Sequence, residues 1–311
     1  MLESRQEVSW AREVDRAQRV NRFAARSGPA TVFWFGVLVG LLELIAWAFP
    51  RNGLTARADD SVHTSVRQIR LGETEIAVTT TEKPGSRFVY VNLHDDENTS
   101  ALAGQDVLKR SGGRLVELRH TGRRLLAFTV QGKDYRVDPN RIFTQAGARA
   151  TLEKQSRYSE DAARSVSRFA EELLKVYRID GADAVIALHN NTQGMYSALS
   201  YARGGAHAQD AEDVFIRDGT DPDDFFFVTE RVVFDALKRR GHNVVLQDNR
   251  RVTDDGSLSV YCGKANVRYI NVEADHGHLK EQTQMILDLK SILDELGPLK
   301  RAGVNSVTTD H

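Results

Sequence analysis

The chain has 311 residues, of which 41% are hydrophobic and 27% charged, a balance that excludes an intrinsically disordered chain. Its 42 basic and 43 acidic residues give a formal net charge of -1, which argues against a dedicated nucleic-acid-binding protein. A single cysteine, Cys262, excludes an intramolecular disulfide framework and any multi-cysteine zinc or iron–sulfur site. A metal ion in this protein would therefore be held by histidine, aspartate and glutamate.

The first distinctive element is the apolar run from Ala30 to Phe49, in which Glu43 is the single charged residue. A run of this length is sufficient to cross a bilayer as a helix. Arginines cluster on its N-terminal side, so the positive-inside rule predicts a cytoplasmic leader over 1–29. The residues from about 59 onward are then predicted to be extracytoplasmic, in the periplasm or at the cell surface.

The nature of this apolar run stays open between two interpretations. Ala56-Arg57-Ala58 has the small-x-small pattern of a signal-peptidase site, whereas the long charged leader favours an uncleaved signal anchor. A buried core helix is less favoured, because such a helix normally carries a polar stripe that this run lacks. We expect a linker over 50–72, a hydrolase-like domain over 73–298 and a tail over 299–311.

Short β-like runs alternate with helical runs along the rest of the chain. Apolar spacing, N-caps and glycine stops predict helices over Ser100–Ser111, Ser159–Tyr177, Thr229–Arg240 and His278–Leu296. Strands are predicted over Glu73–Thr80, Phe88–Leu93, Ala184–Leu188, Phe225–Val228, Asn243–Leu246 and Arg268–Val272. Arg114–His120 and Leu125–Val130 are predicted to form a hairpin around Thr121-Gly122. The alternation predicts an α/β fold with a mixed, largely parallel twisted sheet and helices on both faces.

Polar clusters follow three of the predicted strands directly, where ligand sites lie in such folds. These clusters are His94–Asn98, His189–Asn191 and Glu273–His278. A fourth cluster, Asp138–Phe143, lies in a loop after the predicted hairpin.

His94 and Glu97 have a spacing that lets both side chains converge on one point where the chain leaves a strand. Imidazole nitrogens and carboxylate oxygens are standard zinc ligands, and His189 is the candidate for the third ligand. Two histidines and one glutamate leave a fourth position open for water, whose pKa zinc lowers, and the ion also polarises a substrate carbonyl. Glu273 is the candidate for the base that takes the proton of this water and passes it to the leaving amine.

The order of these motifs resembles that of a known family. H-x-x-E, D-x-N-R-x-F, a strand-end histidine and a strand-end glutamate are similar to the zinc metallocarboxypeptidases of the carboxypeptidase A type. The same clan includes the succinylglutamate desuccinylase/aspartoacylase deacylases. The resemblance covers roughly Phe88 to His278, and the D-x-N-R-x-F motif over 138–143 is its most specific part.

The resemblance implies an α/β sandwich with a mixed eight-stranded sheet and one zinc ion held by His94, Glu97 and His189. It implies that Asn140 and Arg141 hold a substrate carboxylate, and a guanidinium fork matches a carboxylate in a bidentate manner. It also implies that Glu273 is the general base. The separation between Glu97 and Arg141 is shorter than the family's, which suggests trimmed loops.

Two functional residues of the family have no clear counterpart in this sequence. The arginine that stabilises the oxyanion has three candidates, Arg119, Arg123 and Arg124, and we choose Arg124 as a substrate-binding residue. The mobile active-site tyrosine stays unassigned among Tyr196, Tyr261 and Tyr269.

Three further features have simple interpretations. His276 and His278 are predicted to be polar groups at the start of a helix. The acidic stretch Asp210–Asp224 lacks the EF-hand spacing and is predicted to be a solvated loop over the rim of the site. Cys262 is predicted to be a small buried hydrophobic residue.

Together these features predict an exported or membrane-anchored zinc hydrolase that cleaves an amide bond adjacent to a free carboxylate. The expected partners are a peptide or an N-acyl amino acid and, through the N-terminal helix, a membrane; no nucleic acid is expected. Cell-wall peptides are candidate substrates only because of the predicted compartment. The alternatives are a non-catalytic carboxylate- or peptide-binding module on the same fold, and a cytosolic deacylase whose apolar run is an internal helix.

Overall fold

The computed structural model describes residues 61–298. The predicted leader, the apolar run Ala30–Phe49 and the tail 299–311 lie outside the described residues, so export and anchoring stay predictions. None of the helices within 61–298 combines the length and the apolar character that crossing a membrane requires.

The described chain alternates strands and helices, as the sequence predicted. The strands are β1 His63–Leu71, β2 Thr74–Lys83, β3 Phe88–Asn92, β4 Gly113–Arg119, β5 Leu126–Val130, β6 Lys133–Val137, β7 Ala184–Asn191, β8 Ala211–Phe215, β9 Phe225–Val228, β10 Val244–Gln247 and β11 Tyr269–Asp275. The α-helices are α1 Asn98–Ser111, α2 Gln145–Gln155, α3 Glu160–Tyr177, α4 Arg231–Arg239, α5 Leu258–Lys264 and α6 Leu279–Leu296.

Nine of these strands form one mixed sheet in the order β1-β2-β4-β3-β7-β11-β9-β10-β8, while β5 and β6 form a separate hairpin. The centre of the sheet, β4-β3-β7-β11, is parallel, and β9 is parallel to β10. The other four neighbouring pairs are antiparallel. The predicted mixed sheet is therefore confirmed, but only half of its pairings are parallel, and the part within 61–298 has nine strands where the resemblance implied eight.

Helices cover both faces of this sheet, as predicted, and strand β7 shows why. Its residues are buried throughout, and their side chains alternate between two apolar layers. Val185 and Ala187 pack on the face that carries α2, α3 and α5, together with Cys262. Ile186 and Leu188 pack on the opposite face, which carries α1, α4 and α6.

Three predicted segments are wrong. The acidic stretch Asp210–Asp224 was predicted to be a solvated loop, but it contains strand β8, which pairs with β10 at the edge of the sheet. The predicted hairpin around Thr121-Gly122 does not form, because β4 pairs with β2 and β3 inside the sheet. Strand β5 instead turns back into β6 at Gln131-Gly132, where both residues have positive φ, as a tight two-residue hairpin requires. The last part of the predicted 50–72 linker is strand β1, which pairs antiparallel with β2 at the edge of the sheet.

Two of the four predicted helix starts, at Ser159 and His278, agree with the structure, whereas α1 begins at Asn98 and not at Ser100. The Ser159 side chain accepts a hydrogen bond from the Ala162 N–H and caps α3. Thr229 was predicted to cap the next helix, but α4 begins two residues later. The Thr229 hydroxyl instead accepts a hydrogen bond from the Tyr269 N–H, which joins the end of β9 to the start of β11.

Candidate metal centre and active site

The parallel centre of the sheet brings the polar strand ends to one edge. Strands β3, β7 and β11 are neighbours and run in the same direction, so their carboxyl ends coincide. Glu273 of β11 lies directly beside His189 of β7 in the register of the pair. His94 follows β3, and Glu97 directly precedes α1. Residues from three distant parts of the chain therefore meet because the strands that carry them are parallel.

The three predicted metal ligands converge closely. His94 Nδ1 lies 2.8 Å from Glu97 Oε1 and 3.2 Å from His189 Nδ1. His189 Nδ1 lies 2.9 Å from Glu97 Oε2. All three residues are buried, and one potential ligand atom of each lies within 4.8 Å of those of the other two. Two imidazole nitrogens and both oxygens of one carboxylate facing a common point form a donor set suited to zinc.

Mutual interactions set the charges of this cluster. Burial opposes ionisation of Glu97, but the two histidines hold its pKa well below the ordinary value. Burial also opposes protonation of His94, but the carboxylates of Glu97 and Asp138 outweigh it and raise its pKa to about 9. The cluster is thus a concentrated negative charge when its imidazoles are neutral, which is the state in which they bind a metal.

Asp138 forms a hydrogen bond with the ring nitrogen of His94 that faces away from the other two ligands. The sequence analysis gave Asp138 no role. His94 Nε2 donates to Asp138 Oδ1 at 2.9 Å, because a carboxylate only accepts. This bond keeps a proton on Nε2, so Nδ1 is the nitrogen that binds a metal once its own proton has left, a recurrent arrangement around metal-binding histidines. The signal was present in the sequence, since Asp138 is the first residue of the D-x-N-R-x-F motif.

The same motif places the predicted carboxylate-binding pair on the wall of a cavity. Asn140 and Arg141 lie in a single 3₁₀ turn that Asp138 caps by accepting a hydrogen bond from the Asn140 N–H. The Arg141 guanidinium donates from Nη1 to the Asn140 carbonyl at 2.7 Å, and its Nε lies 3.3 Å from Asp255. Asn140 Oδ1 accepts a hydrogen bond from the Leu258 N–H. These contacts hold the two side chains in defined positions.

A close backbone contact holds the loop that carries Asp255. Gly147 in α2 packs against Gly256, and a Cβ built on Gly147 would lie only 2.1 Å from the Gly256 Cα. The Phe143 N–H donates to the Gly256 carbonyl at 2.9 Å, and the Thr144 hydroxyl donates to Asp254. Gly256 also has φ +79°, a conformation that favours glycine. Any side chain at either glycine would push this loop away from the Arg141 turn.

The three candidate arginines separate clearly in the structure. Arg124 donates from Nη1 to Glu97 Oε1 at 2.7 Å and lines the cavity above the candidate metal ligands. Arg119 pairs instead with Asp95 and Glu117, and Arg123 lines a neighbouring cavity at the β5–β6 hairpin, which Arg124 also borders. The structure thus brings Arg124 to the site, as predicted.

The candidate tyrosines also separate. Tyr196 and Tyr269 line the cavity, whereas Tyr261 packs against the apolar layer under α3 and α5. Tyr201, which the sequence analysis did not select, lines the cavity too, and its hydroxyl lies 2.6 Å from that of Tyr196. Burial and this contact raise the pKa of Tyr196 well above the ordinary value, so both hydroxyls stay protonated at neutral pH.

Glu273 is buried beside the candidate metal ligands. Burial raises its pKa above the ordinary value and Glu97 adds to the effect, while His189 and Asn271 act in the opposite direction. Asn271 Nδ2 donates to Glu273 Oε1 at 2.9 Å and fixes the carboxylate. A carboxylate with a raised pKa next to a metal site can accept and return a proton near neutral pH.

One cavity of about 660 Å³ collects the predicted residues. Its lining includes Glu97, Arg124, Asn140, Arg141, His189 and Glu273. The remaining predicted ligand, His94, is fully buried behind the other two. All seven predicted site residues therefore lie in one place, on the carboxyl edge of the parallel strands.

Comparison with known proteins gives matches among solved structures. No protein-family model and no curated protein matches the sequence. An aspartoacylase family protein from Mesorhizobium loti is similar at 13% identity and a TM-score of 0.38, over 78% of this chain and 69% of that one. A succinylglutamate desuccinylase/aspartoacylase from Rhodobacter sphaeroides is similar at 14% identity and a TM-score of 0.40, over 78% of this chain and 67% of that one.

Bovine thrombin-activatable fibrinolysis inhibitor, solved in complex with tick carboxypeptidase inhibitor, is similar at 13% identity. Its TM-score is 0.42, and the match covers 74% of this chain and 90% of that one. The aspartoacylase and desuccinylase names belong to the clan that the sequence motifs resemble. The fold and the site define a mixed-sheet α/β protein with a His–Glu–His candidate metal centre, and the assignment of the site rests on its side-chain geometry.

Proposed function

We propose that the protein is a zinc-dependent hydrolase that cleaves an amide bond adjacent to a free carboxylate. The observation that carries this proposal is the convergence of His94 Nδ1, His189 Nδ1 and both Glu97 oxygens beside the buried carboxylate of Glu273. Bound at this point, zinc would lower the pKa of a water molecule and polarise the scissile carbonyl. The substrate is a peptide or an N-acyl amino acid.

The side chains around the cavity have separate roles in binding and catalysis. Arg141 and Asn140 bind the substrate carboxylate and orient the amide. Glu273 accepts a proton from the attacking water and returns it to the departing amine. Arg124 stabilises the negative charge that develops on the carbonyl oxygen. Its contact with Glu97 keeps the guanidinium within reach of that position.

We further propose that the enzyme works outside the cytoplasm, held by the apolar run Ala30–Phe49 or processed after it. The support is the length of this run and the arginines before it. Cell fractionation tests this part separately. Recovery of the protein in the cytosolic fraction without detergent would contradict it and would favour the cytosolic deacylase.

The test of the hydrolase is zinc analysis combined with amidase assays on hippuryl amino acids. We expect stoichiometric zinc at the site, activity in the wild type, and loss of activity but not of zinc in Glu273→Gln. If the protein binds zinc and the hippuryl amino acids but does not hydrolyse these substrates, it is the non-catalytic binding module instead. Absence of zinc at His94, Glu97 and His189 would contradict the proposal.

A further inference from the structure

A second group of potential metal ligands lies beyond the end of β11. Asp221, Asp275 and His278 each present one ligand atom, and these atoms all lie within 4.8 Å of one another. Asp275 ends β11, His278 directly precedes α6, and Asp221 lies in the loop before β9. The sequence analysis predicted a solvated loop and helix-start polar groups for these segments, but the structure brings them together.

The carboxylate of Asp275 distinguishes this cluster from an ordinary acidic surface. The residue is only 5% exposed, and its Oδ1 is buried without a hydrogen-bond partner. A buried carboxylate is strongly unfavourable unless it is paired or coordinates a metal ion. Asp275 therefore combines an unused buried acceptor with a carboxylate oxygen that lies within 4.8 Å of the ligand atoms of Asp221 and His278.

The surroundings of Asp275 add negative charge. Asp223 and Asp224 lie in the same loop as Asp221, and Asp224 Oδ1 accepts a hydrogen bond from the Asp275 N–H at 3.3 Å. His278 Nδ1 lies 3.5 Å from Asp224 Oδ1. Within residues 61–298, none of these four aspartates forms an ion pair with a lysine or arginine. Burial, together with the neighbouring aspartates, raises the pKa of Asp275.

Hydrogen bonds hold the acidic loop against the end of β7. The Asp223 N–H donates to Asp221 Oδ1 at 3.0 Å, and Asp223 Oδ2 accepts from the Gly194 N–H at 2.6 Å. Asn191 Nδ2 donates to the Asp223 carbonyl at 2.6 Å. The position of Asp221 is thus set by the fold before any ion binds.

We propose that Asp221, Asp275 and His278 form a second divalent-cation site, distinct from the centre at His94, Glu97 and His189. An imidazole with two carboxylates suits Zn²⁺, whereas Ca²⁺ and Mg²⁺ prefer oxygen ligands alone. The ion neutralises the crowded aspartates and ties the loop before β9 to the junction of β11 and α6. Asp275 lies two residues beyond Glu273 on the same strand. The bound ion therefore also restricts the movement of the end of β11.

The first test is the number of zinc ions per chain in the full-length, untagged protein, measured by plasma mass spectrometry after equilibration with zinc and gel filtration. We expect two ions in the wild type and one in Asp275→Asn and in His278→Gln. His276→Gln is the matched control, because His276 is an exposed neighbour outside the cluster, and it keeps two. An unchanged zinc content in Asp275→Asn would overturn the proposal.

The design separates this proposal from the proposed function. If the centre at His94 does not bind zinc, the wild type carries one ion and Asp275→Asn none. If the second site does not exist, the His94→Ala variant carries none. The two failures therefore give different counts.

A thermal-melt experiment guards against a folding artefact. In a His94→Ala background without metal, Asp275→Asn melts at or above the parent, because it removes a buried and repelled carboxylate. Zinc raises the Tm of the parent and leaves that of Asp275→Asn unchanged, since a ligand stabilises only a state that binds it. An equal rise in both proteins would overturn the proposal, and an equal effect of Ca²⁺ on the parent would overturn the assignment to zinc.

Discussion

His94 and Asp138 are 44 residues apart in the sequence and meet through a 2.9 Å hydrogen bond between Nε2 and Oδ1. The bond fixes both the orientation and the tautomer of the imidazole, so that Nδ1 faces Glu97 and His189. Asp138 also caps the turn that carries Asn140 and Arg141. One carboxylate thus connects the candidate metal centre to the candidate carboxylate-binding pair.

Replacing Asp138 with asparagine is expected to weaken zinc binding by about 10- to 100-fold, the usual cost of losing such a supporting group. The amide can still accept a hydrogen bond, but it no longer offers a negative charge to the ring. Competition with a chromogenic chelator measures the affinity. Asp134→Asn is the control, because Asp134 is exposed on the neighbouring hairpin and its variant should bind zinc like the wild type.

Zinc affinity is expected to rise with pH up to about 9, because the pKa of His94 is raised to about 9 in the metal-free protein. Protons and the metal compete for the ring below that pH.

The raised pKa of His94 has the opposite effect on the stability of the metal-free fold, which falls as the pH rises. The stability that the protonated His94 adds to the metal-free fold is fully present below the ordinary histidine pKa of about 6.5, and it is lost as the pH rises through about 9. Chelator competition and urea unfolding across pH 6–9.5 measure the two effects, and a flat zinc affinity would contradict the first.

Glu273→Gln is expected to lower kcat by about 10²- to 10⁴-fold while zinc content stays unchanged, because the amide cannot accept the proton. In the wild type, the acidic limb of the kcat/KM profile should lie above the ordinary glutamate pKa, since burial raises the pKa of Glu273. Activity falls as the pH drops through that value and Glu273 becomes protonated. Glu281→Gln, on the exposed first turn of α6, serves as the control. An unchanged kcat in Glu273→Gln would remove Glu273 from the mechanism.

Arg141→Lys is expected to raise KM for a substrate with a free carboxylate by about 10- to 100-fold. A lysine keeps the charge but loses the planar fork, and a hydrogen bond to a charged group contributes about 1.5–3 kcal/mol. For the corresponding substrate amide, which has no carboxylate, the variant and the wild type should be equally poor. Arg149→Lys, at an exposed pair with Glu153, is the control. Equal KM values for the acid substrate in Arg141→Lys and wild type would contradict the assignment.

Much of the fold could be predicted because its signals are local. The continuous apolar run of β7 indicated a strand buried on both faces, and Ser159 indicated the start of α3. The hairpin prediction failed because a turn signal at Thr121-Gly122 says nothing about which strands lie nearby. Strand β1 was missed because it is an edge strand whose side chains are mostly exposed, so it lacks a strong apolar alternation.

The sequence by itself determined the candidate chemistry, because it places histidines, carboxylates and arginines at the ends of apolar runs and has too few cysteines for a multi-cysteine metal site. Only the tertiary structure decided which of these groups act together. It selected Arg124 over Arg119 and Arg123, joined Asp138 to His94, and placed Asp221 beside Asp275. The physical reason is that these partners lie on different segments of the chain. Their contact depends on the parallel register of β3, β7 and β11 and on the loops that pack against that edge.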